Sequence, residues 1–223
     1  MRWIAQLNFE PLLELLVTAA ACLLCLTFHE CCHGLMALAL GDSTARRMGR
    51  LSLNPLKHID LVGLLLLAFA RFGWAKPVPV DPRNFRDPKL GMALTALAGP
   101  VANVLLCFVA LPLYGVTVWA DFRFGGSVAL EYVGLFFLYT AVLSAGLAVF
   151  NLLPVPPLDG SKILFAFLPT RWYAWILRYE RLGMVLLLAL VYSDILVGPL
   201  EAMRQAVLFF PELLTNYLLI LLL

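Results

Sequence analysis

The sequence predicts an all-α polytopic membrane protein with about five transmembrane helices, a re-entrant or extended segment over residues 45–90, and a short helix after Asp159. Three observations carry that reading. Of 223 residues, 62% are hydrophobic and 13% are charged, roughly half the charged share of a soluble domain. Long apolar runs recur along the chain, and mean hydropathy is +0.91. The 15 Gly and 14 Pro, many beside polar residues, argue against a plain bundle of uninterrupted spans. Lys+Arg 16 against Asp+Glu 14 leaves +2, too balanced for a polyanionic partner, so nucleic-acid binding is excluded.

The first run, 12–40, is about 30 residues long, enough for a tilted helix at ~1.5 Å per residue. It does not read as a cleavable signal, because it lacks a basic start and carries the most polar cluster of the chain. Residues 90–119 and 128–153 are two further spans. Residues 182–200 make a fourth with Asp194 near its far end, and 202–223 a weaker fifth containing Arg204, Pro211 and Glu212. Cys22, Cys25, Cys31, Cys32 and Cys107 lie inside apolar stretches and read as small packing residues, not as a disulfide framework.

The run 61–70 is too short to cross and reads as re-entrant. Its flanks, 41–60 with Arg46, Arg47, Arg50 and Lys57, and 75–89 with Lys76, Arg83, Arg86 and Lys89, are both basic. The positive-inside rule puts both on the cytoplasmic side, which requires the run between them to dip and return. Pro77, Pro79, Pro82 and Pro88 favour extended, turn-rich backbone there.

The chemistry concentrates in His29-Glu30-Cys31-Cys32-His33. Helix positions i and i+4 share a face, so His29 and His33 can present two imidazoles to one ion. Glu30 is turned about 100° away, within reach of a water but not a ligand itself. The bland alternative is two satisfied core histidines with a protonated Glu30, yet each such residue in an apolar helix is costly unless partnered. A catalytic zinc wants a third protein ligand. The best candidate is Asp159 in Asn151-Leu152-Leu153-Pro154-Val155-Pro156-Pro157-Leu158-Asp159-Gly160, with a helix N-cap as its other reading. Such broken backbone at membrane depth must be buried in protein or line a wet cavity. Parity agrees: 90–119 leaves the histidine side and 128–153 returns to it, provided 61–70 does not cross. Asn103, in Gly99-Pro100-Val101-Ala102-Asn103, and Asn151 are buried amides that either bond a neighbouring helix or donate to a substrate or an oxyanion.

Five segments, HECCHGLMA (29–37), GDSTARRMGRLSLNPLKHIDLVG (41–63), GWAKPVPVDPRNFRDP (73–88), AGPVAN (98–103) and NLLPVPPLDG (151–160), resemble the site-2 protease family of intramembrane zinc metalloproteases. The likeness is to its compact branch without a PDZ insertion. It implies one Zn²⁺ per chain on His29, His33 and Asp159, with Glu30 as general base and Asn103 and Asn151 positioning substrate or transition state. It further implies a multi-pass protein that cleaves transmembrane protein substrates in regulated intramembrane proteolysis. Compact size points to a prokaryotic plasma membrane, and the basic loops put the active site nearer the cytoplasmic face. The family often has HIDPxGT where this chain reads His58-Ile59-Asp60-Leu61-Val62-Gly63-Leu64, a departure that leaves the metal set intact. Residues 1–223 are expected to form a single domain, with core 11–168 and C-terminal helices 172–223. Two competing readings use the same ligands without hydrolysis: a membrane metal transporter or sensor, and a haem or electron-transfer protein drawing on Cys22 or Cys25. Glu30→Gln would leave ion flux intact and abolish proteolysis.

Overall fold

Capping residues set where two of the long helices begin. In the structure, a computed structural model that describes residues 9–60, 63, 75–169 and 180–222, α1 spans Glu10–Ala39 with Pro11 in its first turn. At ~1.5 Å per residue it is about 45 Å long, well beyond a hydrocarbon core of about 30 Å. A short α2 follows at Thr44–Arg47. Helix α3, Pro88–Phe124, starts where the Asp87 side chain accepts from Lys89 N and Leu90 N, and it stops at Gly125 in the left-handed region. Ser127 caps α4, Val128–Asn151, through Leu130 N. Then come α5 at Asp159–Ala166, α6 at Glu180–Tyr192 and α7 at Val197–Leu222.

Among the described residues, α1, α3, α4 and α7 are long and apolar enough to cross a membrane, and Leu182–Tyr192 is a shorter apolar helix. The fourth span expected at 182–200 is therefore not one helix. It breaks after Tyr192, where Asp194 takes a φ of 57°, and α7 begins at Val197, earlier than the expected 202. Asp194 at the end of an apolar run is a residue type that tolerates the left-handed turn, so the break falls there. Pro211 lies inside α7 and does not end it; Thr215 Oγ1 donates to the Pro211 carbonyl at 2.8 Å.

Helices α1, α3 and α4 pack together, and α7 lies against α3 and α4. Small residues allow the close approaches. A Cβ on Gly115 would sit 2.6 Å from Thr215 Cγ2, and one on Gly134 would sit 2.9 Å from Thr117 Oγ1. Buried thiols fill the same seams as packing groups: Ser144 Oγ donates to Cys25 Sγ at 3.1 Å, and Cys107 Sγ lies 3.3 Å from the Ala141 carbonyl. All five cysteines are free.

The C-terminal end of α1, the N-terminal end of α3 and the C-terminal end of α4 share one side of the bundle. The loops there are tied to each other. Ile59 and Ala75 form an antiparallel bridge, and Lys76 N donates to the His58 carbonyl at 2.8 Å. The chain that leaves at Ile59 is thus back at the same place by Ala75, as the loop charges require. The expected re-entrant run, 61–70, lies outside the described residues except for Gly63.

Asp42 locks this end together. It is fully buried and accepts from Thr44 N at 3.0 Å, Asp81 N at 2.8 Å and Asn84 Nδ2 at 2.7 Å, besides the Thr44 hydroxyl. Burial alone would raise its pKa, but these hydrogen bonds from Thr44, Asp81 and Asn84 outweigh it and hold the carboxyl below its ordinary value. A depressed folded-state pKa means that the stabilisation is present above the unfolded value of about 3.9 and is lost as pH falls through the folded one. Asp42→Ala is expected to cost on the order of 2 kcal/mol by stranding these donors. Thermal unfolding in detergent should show the lowered midpoint at pH 7, with the gap to wild type narrowing below pH 4.

Candidate metal centre

His29 and His33 sit one turn apart in the C-terminal half of α1, both buried, with ring centroids 4.5 Å apart at 87°. Asp159, the first residue of α5, faces them. His29 Nε2 is 3.2 Å and His33 Nε2 is 3.1 Å from Asp159 Oδ2, and the two nitrogens are 3.0 Å apart. These three form the one group of potential metal-ligating side chains found among the described residues.

Local sequence makes this meeting possible. Gly160 is required because the chain doubles back over Leu152: a Cβ there would lie 2.1 Å from the Leu152 carbonyl oxygen. The α5 N-cap is Leu158, without a side-chain cap bond, so Asp159 does not cap the helix and its carboxylate turns to the imidazoles. Lys162 Nζ holds the other oxygen, Oδ1, at 3.2 Å, leaving Oδ2 for the histidines. On the opposite wall Gly99 of α3 lets the rings approach; a Cβ there would be 2.4 Å from His33 Cε1 and 2.6 Å from His29 Cε1.

The donor set can be tested for a cation. His33 Nδ1 donates to the Thr95 carbonyl at 2.7 Å, which leaves the Nε2 lone pair aimed at a carboxylate oxygen. Two acceptors facing each other across 3.1 Å repel unless a proton or a cation lies between them. Two imidazole nitrogens and one carboxylate oxygen are a zinc set, and bonds of 2.0–2.1 Å in a tetrahedron imply ligand edges of about 3.3 Å. The observed edges of 3.0–3.2 Å fit.

Glu30 is half-buried, and its Oε2 accepts from Val78 N at 2.9 Å. Asn103 lies one turn beyond Gly99 on α3, fully buried, and neither its Nδ2 nor its Oδ1 has a partner. Asn151 is half-buried at the end of α4 and donates from Nδ2 to the Leu147 carbonyl at 3.0 Å, within its own helix. Sequence reasoning missed the Thr95 carbonyl, the Val78 amide, Lys162 and the steric role of Gly99. Only the last had a visible signal, a glycine four residues before a buried asparagine. His58, the third histidine, is buried in the basic loop with Nε2 2.8 Å from the Ser52 carbonyl.

A helical membrane-span bundle with two histidines and an aspartate converging inside it defines a class of multi-pass membrane protein with a candidate metal centre. The profile of peptidase family M50 matches residues 17–191. The Bacillus subtilis (strain 168) protein YwhC, provisionally named a zinc metalloprotease, is 38% identical over 192 residues, covering 82% of this chain and 84% of YwhC. The Mycolicibacterium smegmatis protein Rip2, named in the same provisional terms, is 30% identical over 174 residues, 74% of this chain and 63% of Rip2. MJ0611 of Methanocaldococcus jannaschii, again so named, is 39% identical over 69 residues, 31% of each chain. No solved structure matches the chain. The chain belongs to peptidase family M50, the site-2 protease family.

Gly99→Ala is expected to push the imidazoles off Asp159. Overpacking of this kind costs about 1–3 kcal/mol, so the variant should unfold at lower temperature and carry less metal per chain by elemental analysis.

Proposed function

We propose that this protein is an intramembrane zinc metalloprotease that hydrolyses peptide bonds of transmembrane protein substrates, the reaction of regulated intramembrane proteolysis. The observation that carries the reading is the convergence of three ligand atoms within 3.2 Å from α1 and from a turn 130 residues downstream. His29, His33 and Asp159 hold one Zn²⁺ per chain, and Glu30 is the general base. Zinc in that seat supplies a Lewis acid for the scissile carbonyl and makes water more acidic at neutral pH.

The side chains divide the remaining work. With Oε2 occupied by Val78 N–H, Glu30 takes the proton of the attacking water at Oε1 and returns it to the leaving amine. Asn103 has a free Nδ2 in a water-poor setting, which suits donation to the substrate carbonyl as it becomes an oxyanion. Asn151 positions substrate after exchanging its bond to the Leu147 carbonyl. A substrate helix must first unwind, and its freed backbone groups need partners. Strand addition along 75–89 has limited means. Lys76, Val78 and Asp81 already donate their amides, and Pro77, Pro79 and Pro82 have none.

Charge supports an orientation with this end in the cytoplasm of a prokaryotic plasma membrane. The loops beyond α1 and before α3 hold Arg46, Arg47, Arg50, Lys57, Lys76, Arg83 and Arg86, whereas Glu10, Glu14, Asp121 and Glu131 belong to the opposite end. Residues 1–223 act as one domain, its C-terminal α7 packed on the core through Leu208 against Cys107 and Ala145.

Glu30→Gln should keep metal and fold while cleavage of a transmembrane substrate in proteoliposomes falls by about 10²–10⁴-fold. Wild-type proteolysis by that variant would overturn the mechanism, and full metal content in both His29→Ala and Asp159→Ala would overturn the ligand set.

A further inference from the structure

The basic loops build a second site that proteolysis does not use. A cleft of about 300 Å³ opens beside the α1 end of the bundle, and Arg50, Lys57 and Lys76 bring three cations to its wall beside Gly49, with Met48 and Leu56 at its rim. Gly49 turns the chain with a φ of +63°, and Lys57 Nζ donates to its carbonyl at 2.9 Å. Arg50 is half-spent: Nη2 donates to the Lys76 and Pro77 carbonyls at 2.7 and 3.2 Å, while Nε is buried without a partner.

No carboxylate among the described residues lies within ion-pair distance of Arg50, Lys57 or Lys76. The acids at this end are committed elsewhere. Asp42 takes Thr44, Asp81 N and Asn84, Asp60 takes Gly63 N, Asp81 pairs with Arg83, Asp87 caps α3, and Glu30 takes Val78 N. The cleft is therefore a concave cationic surface with no countercharge among the described residues. Beside it, large apolar side chains face outward: Met48 is 63%, Leu53 68% and Leu56 74% exposed. Three such side chains in a hydrated loop would be unfavourable, but they suit the boundary between headgroups and acyl chains, which is where a loop leaving α1 emerges.

We infer that this cleft binds the phosphate of an anionic phospholipid headgroup from the surrounding bilayer, with Arg50, Lys57 and Lys76 meeting the phosphate and Met48, Leu53 and Leu56 dipping beside its acyl chains. The guanidinium charge of Arg50 and the two ammonium groups of Lys57 and Lys76 attract the phosphate, and the apolar rim selects a lipid over a phosphate free in water.

The test uses the full chain in detergent micelles, titrated with dioleoyl phosphatidylglycerol or dioleoyl phosphatidylcholine and read by native mass spectrometry. Wild type should hold the anionic lipid about tenfold more tightly than the zwitterionic one. Lys76→Gln and Lys57→Gln/Lys76→Gln should erase most of that preference, whereas Arg123→Gln, the same charge change at the opposite end, should leave it. Lys76 makes no side-chain hydrogen bond, so its variant should fold, and unchanged thermal unfolding would verify that. Equal binding of the two lipids, equal loss in Arg123→Gln, or retention in the double variant would overturn the site. Displacement by equimolar inorganic phosphate would overturn the lipid as its ligand.

Discussion

Two imidazoles and a carboxylate pressed together inside a membrane bundle are the constraint on which the architecture depends. Ionic and lone-pair-bearing groups are costly in a low-dielectric interior unless they face one another or a cation. His29, His33 and Asp159 meet that condition by converging to within 3.2 Å. Their convergence dictates topology, because the turn that carries Asp159 must emerge on the side where α1 ends. The hairpin of α3 and α4 makes that round trip. The loops joined at Ile59 and Ala75 keep α3 starting from the same side.

Steric allowances matter as much as the three converging side chains. Gly99 removes a side chain from the one place where α3 faces both rings, and Gly160 removes one where the chain folds back on Leu152. The pattern repeats away from the site at Gly115 and Gly134. Between helices in a bilayer, where lipid is as apolar as leucine, close packing and local hydrogen bonds replace the hydrophobic effect as the source of association. Glycine, alanine and cysteine in the seams follow from that.

The segment from Ala75 to Asp87 is tied to the α1 end of the bundle by three side chains. Arg50 holds it by two carbonyls, Asp42 by the Asp81 amide, and Glu30 by the Val78 amide. Proline-rich extended backbone has few donors of its own, so side chains from the α1 end satisfy it. The charge asymmetry of the molecule originates here as well. The acids are consumed in caps and clamps, which leaves the arginines and lysines to face outward.

Much was legible in the sequence, because hydropathy, i/i+4 spacing and turn chemistry are local. These features predicted the helical class, the spans of α1, α3 and α4, the pairing of His29 with His33, and Asp159 emerging from Pro-rich backbone before a short helix. They did not locate the break at Ser193 and Asp194, since an apolar run conceals a single left-handed residue. Nor could they decide between Asp159 as ligand and as cap, or find the Thr95 carbonyl behind His33 and the Val78 amide on Glu30. Those are contacts across 62 and 48 residues. Such contacts depend on how the chain returns to one side of the bilayer. Local chemistry fixes which groups are available and on which helical faces; which of them meet is set by packing, because only packing fixes distance between residues far apart in the chain.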